Sequence, residues 1–315
     1  MDIAGKRIVV SGGAGFLGSR VVRKLIEHGA DPSDILIPRS KTMDLKVWEN
    51  CARAVKGADV VIHLAGKGGG IGFNQKYPGS ILYENVVMGA NLMEASRQAG
   101  VSKFVTIGTV CAYPKIIPLP FREEDLWNGY PEPTNAPYGL SKKILLVQGQ
   151  AYREEYGFDS IHLLLVNLYG PGDDFTPERS HAIPALIRKM DLAKSRGERS
   201  VVLWGTGSPS REFLYVDDAA EAIYLATKSY DKADPINIGS GHEIKISELA
   251  SMIAGLLGYT GEIVWDKSKP DGQPRRALDT SRAQREIGFK AKVALTNGLK
   301  ETINWYLGNR AKIAS

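Results

Sequence analysis

The chain has 315 residues, of which 43% are hydrophobic and 24% charged, an ordinary balance for a globular protein with a buried core. Its net charge of +5 is spread along the chain rather than gathered in a basic block, which excludes nucleic acid and membranes as expected partners and suits an anionic small molecule. Because Cys51 and Cys111 are too few for a disulfide framework and neither a secretory leader nor a long apolar run is visible, we expect a cytoplasmic protein.

The first predicted elements form a nucleotide-binding unit. The β-branched run at residues 7–10 predicts a buried parallel strand. It leads into a turn with Gly12, Gly15 and Gly18, followed by a helical pattern. In this context the G-x-x-G-x-x-G spacing indicates dinucleotide binding, because glycines let the backbone approach a pyrophosphate at the helix N-terminus. The cofactor contacts expected here are Gly12, Gly15, Phe16, Leu17 and Gly18.

The end of the second predicted strand, residues 35–37, bears on the choice of cofactor. NAD enzymes usually place an acidic residue there to hold the ribose 2′-hydroxyl, whereas this chain has Arg39 and Lys41. Two cations suit a 2′-phosphate, so we predict NADP (as NADPH in the reductive direction). NAD is the alternative, in which both cations belong to a solvated loop. Asp44 and Leu45 are expected on the adenine side.

The third predicted strand, residues 60–66, runs into a glycine-dense loop at residues 67–72. A loop at the carboxyl end of a strand lies where ligands bind in open α/β sheets. The cofactor contacts expected here are Leu64, Ala65 and Gly66. His63 is predicted to be a packed core histidine rather than a catalyst. A helix over 81–98 and a fourth strand over 103–107 follow.

A candidate catalytic set follows the fourth strand. Thr109 stands where a side chain can point into a cleft, and the proline-rich residues 114–137 predict a loop that leads to a helix over 138–156. Tyr138 and Lys142 share one face of that helix. The ammonium is expected to lower the pKa of the phenol, so that Tyr138 can exchange a proton. The spacing alone also fits a solvated helix face; the glycine turn upstream favours catalysis.

The order of elements predicts the fold. Strand and helix alternate through a fifth strand at 160–167, which indicates an α/β fold with a Rossmann-type, doubly wound parallel sheet. The alternation stops at Tyr169, from which we expect a smaller α/β substrate-binding domain. The predicted domains are residues 1–168, which bind the dinucleotide and to which the chain returns at about 215–240, and residues 169–315.

Seven further segments bear on the family to which the chain is similar. They are residues 69–71, 111–115, 132–138, 167–171, 180–186, 211–218 and 269–275. Together with the glycine turn and the Thr109, Tyr138 and Lys142 set, they resemble the extended short-chain dehydrogenase/reductases, which act largely on nucleotide sugars. Within that group the chain is most similar to the GDP-L-fucose synthase family, nearly from end to end.

The resemblance implies an epimerase-reductase that converts GDP-4-keto-6-deoxymannose to a GDP-6-deoxy sugar such as GDP-L-fucose. Cys111 and His181 would move protons at the carbons beside the keto group. NADPH would then reduce that group, with Tyr138 as the proton donor, Lys142 holding the cofactor and Thr109 bonding the substrate oxygen. The substrate contacts implied are Asn167, Arg188, Lys189, Trp204, Arg211 and Lys269. A homodimer through helices 81–98 and 138–156 is also implied, and no metal site is expected.

Three departures from the family pattern leave alternatives open. Thr109 and Val110 stand where the family has serines, and Gly13 and Ala14 stand where a basic residue would help hold a 2′-phosphate. The alternative enzymes are a nucleotide-sugar 4-epimerase, which would retain NAD, and a GDP-heptose reductase. The non-enzyme alternative is a catalytically silent dinucleotide-binding scaffold.

Overall fold

The computed structural model describes residues 1–314, which fold as an α/β protein. The strands are β1 (Ile8–Ser11), β2 (Ile35–Leu36), β3 (Val60–His63), β4 (Lys103–Thr109), β5 (Ser160–Leu165), β6 (Asn167–Tyr169), β7 (Ser200–Trp204), β8 (Ser210–Tyr215), β9 (Ile236–Ile238), β10 (Glu243–Lys245) and β11 (Glu262–Asp266). The helices are α1 (Phe16–Glu27), α2 (Trp48–Val55), α3 (Ile71–Lys76), α4 (Pro78–Gln98), α5 (Ala136–Tyr156), α6 (Ala182–Ser195), α7 (Val216–Ser229), α8 (Ile246–Leu257), α9 (Ser281–Ile287) and α10 (Leu295–Ala314).

Six strands form one parallel sheet in the order β2-β1-β3-β4-β5-β9. Successive side chains of a strand point to opposite faces, so Val10 packs in the core with α1 and α7, whereas Val9 packs in a second core with α2, α4 and α5. Burial on both faces explains the continuous β-branched runs of these strands. The predicted doubly wound α/β fold is confirmed.

The remaining strands lie outside the large sheet. Strands β10, β8 and β6 form one small sheet, and β11 pairs with β7 in another. Their core includes Ile187 of α6, Ile253 of α8 and Leu299 of α10. The chain returns to the large sheet through α7, which packs on α1, and β9, which pairs with β5.

Helix starts differ from the sequence prediction for a simple reason. Helix α4 starts at Pro78 and α5 at Ala136, each before the predicted start, and each has a proline in its first turn. Proline fits there because its missing N–H has no intrahelical partner to lose. Strand β3 ends at His63 rather than at residue 66, because its partner β1 ends at Ser11. Helix α3 begins at Ile71, so the loop occupies residues 64–70 instead of the predicted 67–72. No helix within residues 1–314 has the length and apolar character needed to cross a membrane.

Candidate active site

A cleft of about 1130 Å³ lies at the carboxyl ends of the parallel strands. Strand β1 sits between β2 and β3, so the loops after β1 and β3 diverge, and this is where open α/β sheets bind ligands. The predicted site residues that line the cleft are Phe16, Leu17, Leu64, Gly66, Thr109, Cys111, Tyr138, Lys142, Asn167, His181, Lys189, Trp204 and Arg211. Its volume exceeds that of a typical single-ligand pocket.

The glycine turn is shaped by close backbone contacts. A Cβ on Gly12, whose φ is +71°, would lie 2.8 Å from the Ala65 N atom, and one on Gly18 would lie 2.1 Å from the Gly12 O atom. Gly15 caps α1 without a side-chain hydrogen bond, and the first turn carries no acidic residue. The positive end of the helix is therefore left for an anion, which fits the pyrophosphate of a dinucleotide.

Two predicted cations follow β2 near this turn. A Cβ on Gly13 would lie 3.0 Å from Ile37 Cγ1, so the chain beyond β2 starts beside the glycine turn. Arg39 and Lys41 are exposed there, and neither forms an ion pair with a carboxylate of residues 1–314. Both side chains are free to meet a ligand phosphate.

Three other predicted cofactor residues make contacts within the protein. Asp44 Oδ1 accepts a hydrogen bond from Lys46 N at 3.0 Å. The side chain of Leu45 is 6% exposed and packs in the core with α2, so it does not face the cleft. Ala65 N donates to Ser11 Oγ at 3.2 Å, which ties the loop after β3 to the end of β1.

Thr109, Tyr138 and Lys142 come together as predicted, but their electrostatics differ from the prediction. The Lys142 Nζ atom lies 6.0 Å from the centroid of the Tyr138 ring. Burial, and then the charge of Cys111, raise the pKa of Tyr138, while burial lowers the pKa of Lys142 to about 8. The expected lowering of the Tyr138 pKa by Lys142 is therefore wrong in this structure, because desolvation outweighs the distant amine.

Cys111 and His181 reach the same cleft from different elements. Cys111 lies on a short 3-10 helix, Val110–Ala112, where its N–H donates to Thr109 Oγ1 at 3.2 Å. His181 precedes α6 and is open to the cleft. Protein around the imidazole nevertheless desolvates it and lowers its pKa, against the opposing charge of Asp174. The imidazole of His181 is both accessible and desolvated, because the ring faces the inside of a deep cleft.

The glycine-dense loop contacts both Tyr138 and the segment that precedes His181. A Cβ on Gly68 would lie 3.3 Å from Tyr138 Cε2, and one on Gly70 only 2.6 Å from the Ser180 O atom, beside His181. The loop backbone therefore packs directly on the tyrosine ring and on the segment that carries the histidine. Side chains larger than hydrogen would push these two groups away.

Sequence reasoning missed three buried asparagines that hold this loop. Asn85 of α4 accepts from Lys67 N at 2.7 Å and donates to Lys67 O at 2.9 Å. Asn74 accepts from Gly69 N at 3.2 Å and donates to Asn135 Oδ1 at 2.9 Å. The available signal was a polar residue inside an otherwise apolar helical pattern, and residue 135 within the segment 132–138.

A row of polar side chains crosses the sheet beneath Lys142. Register pairs place Ser11, His63, Thr106 and His162 on four neighbouring strands. Ser11 Oγ accepts from a loop N–H and forms a hydrogen bond with His63 Nδ1 at 2.7 Å. Thr106 Oγ1 donates its one hydrogen to a carbonyl and so accepts from His162 Nδ1 at 2.6 Å. Burial, and then the Lys142 charge, lower the pKa of each histidine to about 3. His63 is thus a neutral core histidine, as predicted.

Two further ionisable groups in the cleft were not predicted. Arg276 lies with its Nη1 atom 3.3 Å from Cys111 Sγ. Asp173 has a buried Oδ2 atom without a hydrogen-bond partner in residues 1–314, and burial raises its pKa to about 7. Arg211, which was predicted, donates to Asp271 O at 3.1 Å, and burial, followed by the charge of Arg276, lowers its pKa to about 10.

The basic residues that were predicted to bind the substrate do not all line the cleft. Lys189 lines the cleft, but Arg188 is one position along α6, about 100° around the helix, and acts electrostatically on Tyr306 of α10. The structure therefore does not bring Arg188 to the cleft. Lys189 Nζ and Lys269 Nζ each lie 5.6 Å from the centroid of Trp204, so Lys269 reaches the mouth of the cleft through that indole.

Known proteins share this sequence and fold. The model of the NAD dependent epimerase/dehydratase family matches residues 8–239. A probable GDP-L-fucose synthase 1 of Oryza sativa subsp. japonica is 40% identical over 97% of this chain and 93% of its own length. A GDP-6-OMe-4-keto-L-xylo-heptose reductase of C. jejuni has a TM-score of 0.92 at 28% identity, covering 98% of this chain and 99% of its own.

A GDP-L-fucose synthetase of Naegleria fowleri, solved bound to NADP, has a TM-score of 0.86 at 28% identity and covers 98% of this chain and 96% of its own. The family match spans the glycine turn and the Thr109, Tyr138 and Lys142 set, which lie in one cleft. The chain therefore belongs to the NAD dependent epimerase/dehydratase family of extended short-chain dehydrogenase/reductases, and it is an enzyme that uses a nicotinamide dinucleotide.

Proposed function

We propose that the protein converts GDP-4-keto-6-deoxymannose to a GDP-6-deoxy sugar such as GDP-L-fucose, as an NADPH-dependent 3,5-epimerase and 4-reductase. The observation that carries this proposal is the presence of Cys111 and His181 in the same cleft as Thr109, Tyr138 and Lys142. The first pair supplies proton transfer at carbon, and the second set supplies proton transfer to an oxygen. The 40% identical rice relative, named a GDP-L-fucose synthase, supports the same activity.

The reductive half uses the set on β4 and α5. NADPH, when bound, supplies the hydride for the C4 carbonyl carbon. Tyr138 gives its phenolic proton to the carbonyl oxygen, and Thr109 donates a hydrogen bond to that oxygen. The raised pKa of Tyr138 keeps the phenol protonated at neutral pH. Lys142, which is buried and lines the cleft, would hold the ribose of the cofactor.

The epimerising half uses Cys111 and His181. The 4-keto group acidifies the hydrogens on C3 and C5, because the electron pair left by a departing proton moves onto the keto oxygen. The Cys111 sulfur takes the proton as a general base, and the imidazole of His181 returns a proton to the other face. The oxygen that Thr109 and Tyr138 bond in reduction is the one that carries the enolate charge.

NADP is the cofactor that the chain beyond β2 supports. Arg39 and Lys41 are exposed cations without carboxylate partners in residues 1–314, and they follow a residue that contacts the glycine turn. Cations at this place match the doubly charged 2′-phosphate. The Naegleria fowleri relative was solved with NADP bound.

The substrate is held by residues from the second half of the chain. We infer that residues 1–168, with 215–240, bind the dinucleotide and that residues 169–315 bind most of the GDP sugar. Arg211 and Lys189 offer cations to the diphosphate, Trp204 offers an aromatic face, Lys269 adds charge at the mouth, and Asn167 contacts the sugar. The Asn167 amide donates to Glu212 O at 3.1 Å, which leaves its carbonyl oxygen for a ligand.

We also infer a cytoplasmic homodimer. Helices α4 and α5 pack side by side and expose large apolar residues, which are Leu82, Tyr83, Ile144, Val147 and Tyr156. Covering such a surface with a second copy removes it from water. A thiol that acts as a base must stay reduced, which favours a reducing compartment.

A reductase without epimerase activity is the second candidate. The C. jejuni heptose reductase has a TM-score of 0.92 to this chain, and the reductive set alone would serve such a reaction. The test is incubation with GDP-4-keto-6-deoxymannose and NADPH or NADH in heavy water, with products followed by NMR. Deuterium at C3 and C5 together with NADPH oxidation supports the epimerase-reductase. NADPH oxidation without deuterium supports the second candidate.

Two variants test which residues serve the reductive half and which serve the epimerising half of the proposed reaction. Tyr138→Phe keeps the ring but removes the proton, so NADPH oxidation should fall by about a thousandfold while deuterium exchange continues. Cys111→Ser should remove most deuterium exchange while NADPH still binds. Wild-type NADPH turnover by Tyr138→Phe would exclude the role given to the phenol.

A further inference from the structure

Arg276 is a buried guanidinium aimed at the sulfur of Cys111. The residue is 6% exposed, and its Nη1 atom donates to Cys111 Sγ at 3.3 Å. Its Nε atom donates to Gln273 Oε1 at 2.8 Å. The Gln273 amide nitrogen donates to Pro114 O at 3.4 Å and Lys115 O at 3.1 Å, so its oxygen is fixed toward the arginine. The guanidinium is therefore held in one orientation.

The charge of Arg276 has no carboxylate partner. No Asp or Glu of residues 1–314 lies within 4.0 Å of it, and a buried cation without an anion is costly. The charged group that acts on it from β8 is another cation, Arg211. Arg276 donates to Gln273 Oε1 and to Cys111 Sγ, and of these two atoms the sulfur is the one that can carry a negative charge. The charge of this sulfur also acts on the phenol of Tyr138, but the pKa of Tyr138 is raised, so the phenol stays neutral.

We propose that Arg276 is a positioning residue for Cys111, which it holds as a thiolate pointing into the cleft. This inference rests on the proposed function for its catalytic meaning, although the ion pair itself does not. In the epimerising step the thiolate takes a proton from the carbon beside the keto group. The S–H bond forms as the C–H bond breaks, and the electron pair moves to the keto oxygen. The guanidinium stabilises the thiolate before the step and keeps its donor hydrogen directed at sulfur afterward.

The competing role for Arg276 is binding of the substrate diphosphate beside Arg211. That role predicts a higher KM for the GDP sugar after removal of the guanidinium and no change in the chemistry of the thiol. The two roles are separable because thiol reactivity can be measured without substrate. Alkylation by iodoacetamide reports the thiolate directly, since the sulfur displaces iodide and forms an S–C bond.

The experiment compares alkylation rates of the full-length protein at about pH 7 and about pH 10. Cys51 does not interfere because it is fully buried, and burial, followed by the charge of Asp44, raises its pKa to about 12. Mass spectrometry of the peptide that contains Cys111 gives the rate. The variants are Arg276→Met, Arg276→Lys and Gln273→Leu, and the matched control is Arg275→Met, which removes an exposed neighbouring arginine paired with Glu243.

We expect alkylation of Arg276→Met to be about tenfold slower than wild type at neutral pH and equal to it at high pH, where the thiol ionises unaided. Arg276→Lys should recover part of the rate, Gln273→Leu should be intermediate, and Arg275→Met should match wild type. The high-pH rate controls for access, and circular dichroism controls for folding. If Arg276→Met is misfolded, Gln273→Leu decides the matter.

Equal alkylation of wild type, Arg276→Met and Gln273→Leu at neutral pH would overturn the inference, and a higher KM alone would assign Arg276 to the diphosphate. Deuterium exchange then tests the proposed function separately. Slow alkylation with unchanged exchange would keep the ion pair and reject Cys111 as the base. Slow alkylation with slow exchange supports both.

Discussion

Gly139 sets the distance between the two catalytic segments, and replacing it with alanine should disturb both. It lies on α5 next to Tyr138, where the helix packs against the 3-10 turn that carries Cys111. A Cβ at Gly139 would lie 2.3 Å from the Cys111 O atom and 2.8 Å from its carbonyl carbon. Both atoms are backbone, so no side-chain rotation relieves the overlap.

The size of the effect follows from that overlap. Ordinary van der Waals contact begins at 3.4 Å, so helix and turn must separate by roughly 1 Å. Overpacking of this kind costs about 1–3 kcal/mol, partly offset by about 1 kcal/mol from the better helix propensity of alanine. A shift of about 1 Å between Tyr138 and Cys111 is expected to lower kcat/KM by about a hundredfold.

The assay pairs urea unfolding with NADPH oxidation on GDP-4-keto-6-deoxymannose. Gly255→Ala is the matched control. Gly255 is helical like Gly139 but is exposed, and a Cβ there would meet no atom within 4 Å. The control should gain about 0.5–1 kcal/mol of unfolding free energy and keep its kcat/KM. The reasoning is refuted if Gly139→Ala matches the control in both measurements.

Three further outcomes are expected. Gly18→Ala places a Cβ 2.1 Å from the Gly12 O atom and should weaken NADPH binding at least about tenfold in a fluorescence titration; unchanged binding would exclude the close contact. Burial lowers the pKa of His63 and His162 from 6.5 to about 3, so between these two pH values only the unfolded state binds their protons. The unfolding free energy should therefore fall by up to about 1.4 kcal/mol per histidine for each pH unit of acidification in this range. The fall should be less steep in the double variant His63→Gln/His162→Gln. Because the pKa of Lys142 is about 8, NADPH should bind the free enzyme more weakly at about pH 9 than at about pH 7, a difference that Lys142→Met should lack.

The parts of the site that follow from local pattern were predictable. Gly12 and Gly18 lie within seven residues of one another along a strand–turn–helix unit, and Tyr138 and Lys142 are one helical turn apart. Such relations depend on backbone geometry that neighbouring residues fix. Thr109 was found for the same reason, since the end of a parallel strand points to the cleft wherever the strand sits in the sheet.

The parts that depend on packing between distant segments were not predictable. Arg276 meets Cys111 across 165 positions of the chain, and no spacing rule joins them. Arg188 and Lys189 are equally basic in sequence, and only the rotation of α6 against the sheet separates them. The pKa of Tyr138 was predicted in the wrong direction because the pattern gives the position of a neighbouring amine but not the extent of desolvation.

The glycines at residues 68–70, in the loop between β3 and α3, have a consequence for how this enzyme can diversify. This run of three glycines contacts the ring of Tyr138 on one side and the carbonyl of Ser180, which precedes His181, on the other. A mutation there alters two chemistries at once, so neither can be tuned alone through that segment. Lineages that lose one activity while keeping the other should therefore conserve these glycines and vary Cys111, His181 or Arg276 instead.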